Sequence, residues 1–356
     1  MKELPYWLAL NAVSVLGSRR IRKLIDFTGS AREAFSLPEE EILKAGIPEK
    51  AAAAFIRERA GIDPEHELLR CQELGINVVT LADSNYPELL KEIYDPPPVL
   101  YFRGELEELK GAAVAVVGSR KATAYGRNAA IKISRDLAAA GVAVISGMAR
   151  GIDTCAHLGA LEGGGRTYAV LGCGLDICYP PENKKLMARI ERHGAVISEF
   201  PPGTRPRPAH FPMRNRIISG LSQAVLIVEA AEKSGALITA DCALEQGRDV
   251  FAVPGSINSL TSRGCHRLLR EGAGIAEGAE DILSALGLAG AVCSKPLPEL
   301  TEEQQKILRN MEYEPLHIDR LAEACCMPAA ELLAILVEME INGLVKKLPG
   351  NYFLRV

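Results

Sequence analysis

The sequence predicts an α/β protein built around a doubly wound, mostly parallel sheet, with a helical domain before it and a small mixed domain after it. Three observations carry this prediction. The apolar run Ala113–Val117 stops at Gly118, and after a polar loop an amphipathic helix begins near Tyr125, burying Ile131, Ile133 and Leu137. Gly141 ends that helix, and a second apolar run, Val142–Ile145, follows at once and stops at Ser146-Gly147. Strands that read as unbroken apolar runs, rather than alternating ones, are buried on both faces, which is the mark of a βαβ crossover. The same alternation then repeats to about residue 288. Ligands of such sheets bind beyond the carboxyl ends of the strands, here Gly118-Ser119-Arg120 and Ser146-Gly147.

Taken in order, residues 1–65 form the N-terminal helical domain. Tyr6–Leu16 is apolar, a helix runs from Ile21 to Phe27, and Ala45-Gly46-Ile47 precedes the alanine-rich Glu49–Arg59. Glycine turns between short helices resemble those of helix-hairpin-helix and sterile-alpha-motif domains; such turns cap helices and also present N–H groups to phosphates. The sheet domain is expected over 66–290. A helix from His66 leads to a strand at Asn77–Leu81, and Pro96-Pro97-Pro98 marks a stiff connector. Further strands are expected at Tyr168–Leu171, Ala195–Ser198, Ala224–Val228, Val250–Val253 and Gly274–Ala276, with helices near Asp153–Glu162, Glu182–His193, Met213–Leu221, Ala236–Gln246 and Arg263–Glu271. Asp153 is placed to cap its helix. Residues 291–300 form a linker, and 301–356 hold three short helices and a hairpin around Pro349-Gly350-Asn351, resembling a winged helix.

At 356 residues the chain is long enough for two or three domains, and 48% hydrophobic against 24% charged residues supplies a core without large-scale disorder. No apolar run reaches the roughly 18 residues of a membrane span, and the N-terminus does not read as a signal peptide, so a cytoplasmic protein is expected. Nine cysteines without paired C-x-x-C spacing read as reduced thiols rather than a metal site.

The net charge of −4 conceals three acid-free segments. Between Glu108 and Asp136 lie Lys110, Arg120, Lys121, Arg127, Lys132 and Arg135; between Glu199 and Glu229 lie Arg205, Arg207, Arg214 and Arg216; between Asp249 and Glu271 lie Arg263, Arg267 and Arg270. Much of this charge falls on loops at the carboxyl ends of strands, so an acidic protein is expected to carry a basic crevice that attracts a polyanion. The glycines after Gly118 are too far apart for G-x-G-x-x-G, and the second strand lacks the acid that would hold a ribose, which disfavours a dinucleotide cofactor. Lys233-Ser234 lacks the first glycine of a Walker motif. What remains are small residues able to expose N–H groups to phosphates: Gly118-Ser119, Ser146-Gly147, Gly151, Gly172 and Lys233-Ser234-Gly235. Beside them, Phe211 sits among arginines on a proline-rich loop, in the manner of a base-stacking platform, though a core anchor fits the same spacing.

Five motifs in order then identify a family resemblance: G-S-R at Gly118, S-G-M-A-R-G-I-D at Ser146–Asp153, F-P-x-R-N-R-I-I-S-G-L-S at Phe211–Ser222, K-S-G-A-L-I-T-A at Lys233–Ala240 and V-F-A-V-P-G ending at Gly255. Together they resemble the DNA-processing protein A family, also called Smf, across about residues 70–290. The resemblance implies an extended Rossmann-like domain that binds single-stranded DNA, forms homodimers and hands the strand to RecA in natural transformation and recombination, with no cofactor and no catalysis. Residue by residue it places Arg120 as the arginine after the first strand and Phe211 as the stacking aromatic, with Arg214-Asn215-Arg216 and Lys233-Ser234-Gly235 in the pocket. The DNA-binding set expected is therefore Gly118, Ser119, Arg120, Ser146, Gly147, Gly151, Arg205, Arg207, Phe211, Arg214, Asn215, Arg216, Lys233, Ser234, Gly235 and Arg263. Pro208 departs from relatives that carry a lysine near that place, and Arg205 or Arg207 is expected to substitute.

A rival reading is a nucleotide-binding or nucleotide-hydrolysing enzyme, since the fold also resembles lysine-decarboxylase-like phosphoribohydrolases. Those enzymes use P-G-G-x-G-T-x-x-E, whereas the comparable place here, Glu232–Asp241, lacks the proline and the catalytic glutamate. In the C-terminal domain the helix expected to read duplex DNA, Pro328–Asn342, has Glu331, Glu338 and Glu340 and no basic residue. Its field repels DNA, so this domain is expected to act through protein contacts.

Overall fold

The computed structural model describes residues 3–106, 109, 111–289, 300–311 and 315–355. The expected linker at 291–300 lies outside them except for Leu300, as do Glu108 and Lys110 at the edge of the first acid-free segment. Six helices open the chain: α1 (Leu4–Ala12), α2 (Gly17–Thr28), α3 (Ala31–Ser36), α4 (Glu39–Lys44), α5 (Glu49–Arg59) and α6 (Pro64–Glu73). Their boundaries follow capping chemistry. The Ser30 hydroxyl accepts from the Glu33 amide and Asp63 from that of Glu65, while Gly29, at φ 78°, ends α2 in the left-handed region.

The sheet domain continues with β1 (Asn77–Thr80), α7 (Glu88–Lys91), β2 (Val99–Gly104), β3 (Ala113–Val117), α8 (Ala124–Ala139), β4 (Ala143–Ser146), α9 (Ile152–Glu162), β5 (Thr167–Leu171), α10 (Lys184–Ile190) and β6 (Gly194–Ser198). After these come α11 (His210–Gly220), β7 (Ala224–Ile227), α12 (Gly235–Glu245), β8 (Asp249–Ala252), α13 (Arg263–Arg270), β9 (Gly274–Ile275) and α14 (Ala279–Ala285). The strands form one nine-stranded sheet in the order β1-β2-β6-β5-β4-β3-β7-β8-β9. From β6 to β9 all pairs are parallel, and β1 and β2 extend the sheet antiparallel at the β6 edge. The chain winds outward from β3 to β6, then returns to the other side of β3 with β7, so the switch point lies between β3 and β7.

The expected strands are present. An unexpected one is β2: the prolines before it were read as a connector, but they lead straight into Val99–Gly104. Three local expectations are corrected. Helix α11 begins at His210 rather than Met213, so Phe211 stands in the first turn of a helix and not on a loop. Helix α10 starts at Lys184, after a short 3₁₀ turn at Pro181–Asn183. Asp153 is not the cap of α9; that position is Gly151, at φ 79°, and Asp153 is buried one turn edge further in.

Alternate residues of each strand face opposite cores, as the pleat requires. Ala113, Ala115 and Val117 of β3 pack with α11, α12 and α13, whereas Val114 and Val116 pack with α8, α9 and α14. The opening helices share a core with the sheet: Trp7, Leu8, Leu24 and Phe55 join Val99 and Tyr101 of β2, Ala169 and Leu171 of β5 and Val196 of β6. Burying each large side chain of this kind stabilises the fold by roughly 1.5–3 kcal/mol. The C-terminal domain has its own core around Leu321, Leu336 and Phe353, formed by α15 (Glu302–Asn310), α16 (Ile318–Cys325), α17 (Ala329–Ile341) and a three-stranded sheet of β10 (Leu316–His317), β11 (Val345–Leu348) and β12 (Tyr352–Arg355). Helices followed by a hairpin in this order make it a winged helix. The described cysteines are free thiols, most of them buried, and burial pushes Cys71, Cys173 and Cys265 up to about 11. No described helix is long and apolar enough to cross a membrane.

His157, on α9, shows how a polar residue is held in this core. Thr167 gives its hydroxyl proton to the Val144 carbonyl at 2.8 Å, so at 2.7 Å it can only accept from His157 Nδ1. Nε2 is buried without a hydrogen-bond partner, and a proton there would be an unsolvated charge. Burial first, and the Arg214 charge second, push the imidazole pKa from 6.5 down to about 3. A folded-state value below the unfolded one means that the unfolded chain takes up the proton first, so stability falls as pH drops from about 6.5 toward 3. Replacing His157→Gln is expected to remove up to one proton from that slope, about 1.4 kcal/mol per pH unit, in urea titrations across this window; an unchanged slope refutes the buried neutral imidazole.

Candidate nucleic-acid interface

The crevice opens at the switch point, where the loops after β3 and β7 diverge. The first turn after β3 is held in place by main-chain bonds: the Ser119 amide donates to the Glu229 carbonyl at 2.7 Å, and the Ser119 carbonyl accepts from the Ile152 amide at 3.1 Å. Gly118 and Gly151 permit this crowding, since a Cβ on Gly118 would strike Ile152 and one on Gly151 would strike the Ser119 carbonyl. After β7, the Ser234 hydroxyl caps α12 by accepting from the Ala236 amide.

Between these loops lies a pocket of about 640 Å³, lined by Gly118, Ser119, Arg120, Lys121, Arg207, Phe211, Arg214, Asn215, Ser234 and Gly235 among others. Its only lining carboxylate among the described residues is Asp153. The Arg120 guanidinium lies 5.1 Å from the centre of the Phe211 ring, a cation–π arrangement, and the Tyr179 ring meets Phe211 from another side at 5.6 Å. Phe211 is half-buried, with Gly172 bare beneath it because a Cβ there would press on the ring. The ring is thus anchored, and it also faces the pocket.

Arg214 forms the floor. It is 3% exposed, and its Nε and Nη1 have no hydrogen-bond partner. Desolvation drives its pKa down to about 10, opposed by the field of Asp153. Burial pushes the Asp153 carboxyl upward, while Arg214, the Ala149 and Gly118 amides and Arg120 pull it down. A buried guanidinium with idle donors at the bottom of an open crevice has the chemistry to receive an anion, with Asp153 supplying part of its counter-charge. Gly147 makes the arrangement possible, because a Cβ there would fall on the guanidinium itself.

The remaining expected residues are placed as follows. Ser146 is buried and donates to the Val116 carbonyl, which pins β4 to β3 instead of facing a ligand. Gly147 and Gly151 shape the crevice without lining it. Arg216 does not line it either: its guanidinium, 14% exposed, pairs through Nε with Asp95 and through Nη2 with Glu199, and only its buried Nη1 lacks a hydrogen-bond partner. Lys233 and Arg263 are exposed outside the pocket, with Arg263 drawn toward Glu232 at 3.8 Å. Arg205 lines a separate, larger groove, and Arg207 lines both that groove and the crevice next to Pro208. Of the two arginines expected to replace the missing lysine, Arg207 is the one at the crevice. Lys121 and Tyr179 belong to the lining and were not in the expected set; the acid-free segment held the signal for Lys121, and nothing local marked Tyr179. No described cluster of three His, Cys, Asp or Glu side chains is arranged to hold a metal.

A Rossmann-like sheet with a cationic, aromatic-walled crevice at its switch point has the chemistry to receive an anionic ligand. Comparison with known proteins narrows the class. The family model of DNA recombination-mediator protein A matches residues 77–287, and that of the DprA winged helix domain matches residues 293–351. The chain belongs to the DNA recombination-mediator protein A family. It is 35% identical to Protein Smf of Synechocystis over 99% of both chains, and 42% identical to DNA processing protein DprA of Streptococcus pneumoniae over 69% of this chain and 88% of that one. The X-ray structure of the Streptococcus pneumoniae protein superposes with a TM-score of 0.69 at 39% identity, covering 78% of this chain and 95% of that one. A structure of DNA processing protein A from Helicobacter pylori, which describes that protein's single-stranded DNA binding mode, matches with a TM-score of 0.54 at 30% identity, covering 59% of this chain and 95% of that one.

Replacing Gly147→Ala is expected to displace the Arg214 guanidinium and destabilise the fold by about 1–3 kcal/mol, as overpacking does. A denaturant midpoint equal to that of the parent protein would show that the guanidinium has room to move.

Proposed function

We propose that this protein binds single-stranded DNA in the switch-point crevice, and that as a cytoplasmic homodimer it protects such strands and hands them to RecA in natural transformation and homologous recombination. The observation that carries the binding step is Arg214, a buried guanidinium with unpartnered donors at the floor of a basic crevice. A phosphate seated there completes its hydrogen bonds, Arg120, Lys121 and Arg207 contact flanking phosphates, and a base stacks on the exposed part of Phe211. Family membership supports the handover to RecA and the dimer.

Replacing Arg120→Glu is expected to weaken oligothymidylate binding at least about tenfold and to flatten its salt dependence, because a charge-assisted contact becomes a repulsion. Phe211→Ala is expected to weaken binding by about 1–3 kcal/mol. Both are read by fluorescence anisotropy over a salt series. Unchanged affinity and slope for Arg120→Glu removes the crevice from the reading, and tight binding of mononucleotides with turnover favours the hydrolase instead.

The winged helix carries its acids at Glu331, Glu338 and Glu340 on or beside the would-be reading helix, and Lys346 and Lys347 on β11. Removing residues 299–356 is expected to leave oligonucleotide affinity within about threefold, less than 1 kcal/mol. A tenfold loss in the same anisotropy assay would assign that domain a DNA contact.

A further inference from the structure

The larger groove, of about 1540 Å³, runs between the opening helices and the segment that follows β6. Six basic side chains line it: Arg19, Arg20 and Lys23 from α2, Arg70 from α6, and Arg205 and Arg207 from the segment before α11. Among the described residues none of the six forms an ion pair with an acid. The groove also has three acids, Glu67, Asp95 and Glu199, but Arg216 bridges the last two, and Asp95 accepts from Ser18 Oγ at 2.6 Å. The surplus is therefore cationic. At the rim stands Tyr94, 79% exposed, with the Arg19 guanidinium 4.5 Å from its ring centre and hydrogen-bonded to its hydroxyl. This repeats the crevice's own device, an arginine held against an aromatic ring beside unpaired cations.

We infer that this groove is a second single-stranded nucleic-acid subsite, in which a strand leaving the crevice past Arg207 lays its phosphates along Arg205, Arg70 and the arginines of α2 and stacks a base on Tyr94. The inference rests on the crevice being a single-stranded DNA site, and it gives the opening helices a direct part in binding. Arg207 joins the two sites, since it lines both. Tyr94 is otherwise hard to account for: a large aromatic left almost wholly in water contributes little to folding, and a guanidinium on its face pre-orders it for stacking. Arg20 donates to the Val15 carbonyl and Lys23 to the Gly46 carbonyl, but cations without acid partners keep their charge for a phosphate, and they release counterions when they meet one.

The test compares oligothymidylates of about six and about twenty nucleotides, the shorter one sized for a single groove, where a site spans roughly 4–16 nucleotides. Affinity and salt slope are measured for the full chain and for Tyr94→Ala, Arg19→Glu/Arg70→Glu, and Arg22→Glu. Arg22 is on α2 outside the groove and serves as the control for net charge. The expected result is that Tyr94→Ala and the double variant bind the short oligonucleotide within about twofold of the parent and the long one at least about fivefold more weakly. The double variant should also lower the long-oligonucleotide salt slope by about 1.4, two contacts at about 0.7 each. Unchanged long-oligonucleotide affinity in both variants, or an equal loss in Arg22→Glu, overturns the second subsite while the crevice stands. A parent protein that binds neither oligonucleotide overturns both readings. Melting temperatures of the variants, read beside the affinities, separate lost binding from lost fold, since Tyr94 and Arg19 are exposed and Arg70 is half-buried.

Discussion

The carboxylate of Glu229 holds the mouth of the sheet together. It sits just past β7, buried, and accepts from the Thr123 amide at 2.9 Å and the Thr123 hydroxyl at 2.6 Å, with the Thr261 hydroxyl at 3.3 Å. Its own carbonyl takes the Ser119 amide. One residue thus fixes the loop after β3, the start of α8 and the approach to α13. Gly126 is bare because the carboxylate fills the space its side chain would need. A buried carboxylate must find donors, and those available are on the loops that have to be positioned. The crevice is consequently shaped by a charge that never reaches a ligand.

The same principle separates Arg214 from Arg216, two residues apart on α11. Arg216 pairs with Glu199 and Asp95 away from the crevice and becomes part of the scaffold; Arg214 lines the crevice beside Asp153, a carboxyl whose own burial opposes ionisation, and its Nε and Nη1 have no partner. An acidic protein can present a cationic crevice because its acids are spent elsewhere or kept at a distance, and what attracts a polyanion is the local field.

The parallel strands were legible because burial on both faces leaves an unbroken apolar run, as in Ala113–Val117. The crevice was legible because small residues and unopposed arginines recur at strand ends. Strand β2 was not: a short antiparallel strand preceded by three prolines has no periodicity that separates it from a stiff connector. The division of labour among Ser146, Arg214 and Arg216 was also hidden. Whether an arginine is a ligand contact or a structural ion pair depends on which acids the fold brings near it, and Asp95 and Glu199 come from distant parts of the chain. Tyr179 entered the crevice for the same reason, carried there by packing against Phe211.

The opening helices have no core of their own. Trp7 and Phe55 share theirs with Tyr101 and Val99 on β2, and Asn11 on α1 ties the Tyr101 hydroxyl to the Glu199 carbonyl at the end of β6. Mechanically, the helices are a wall cast in one piece with the sheet rather than a hinged flap. A wall of that kind is already ordered before anything lies against it. A flexible strand that settles beside it loses its own conformational freedom, and the protein gives up almost none.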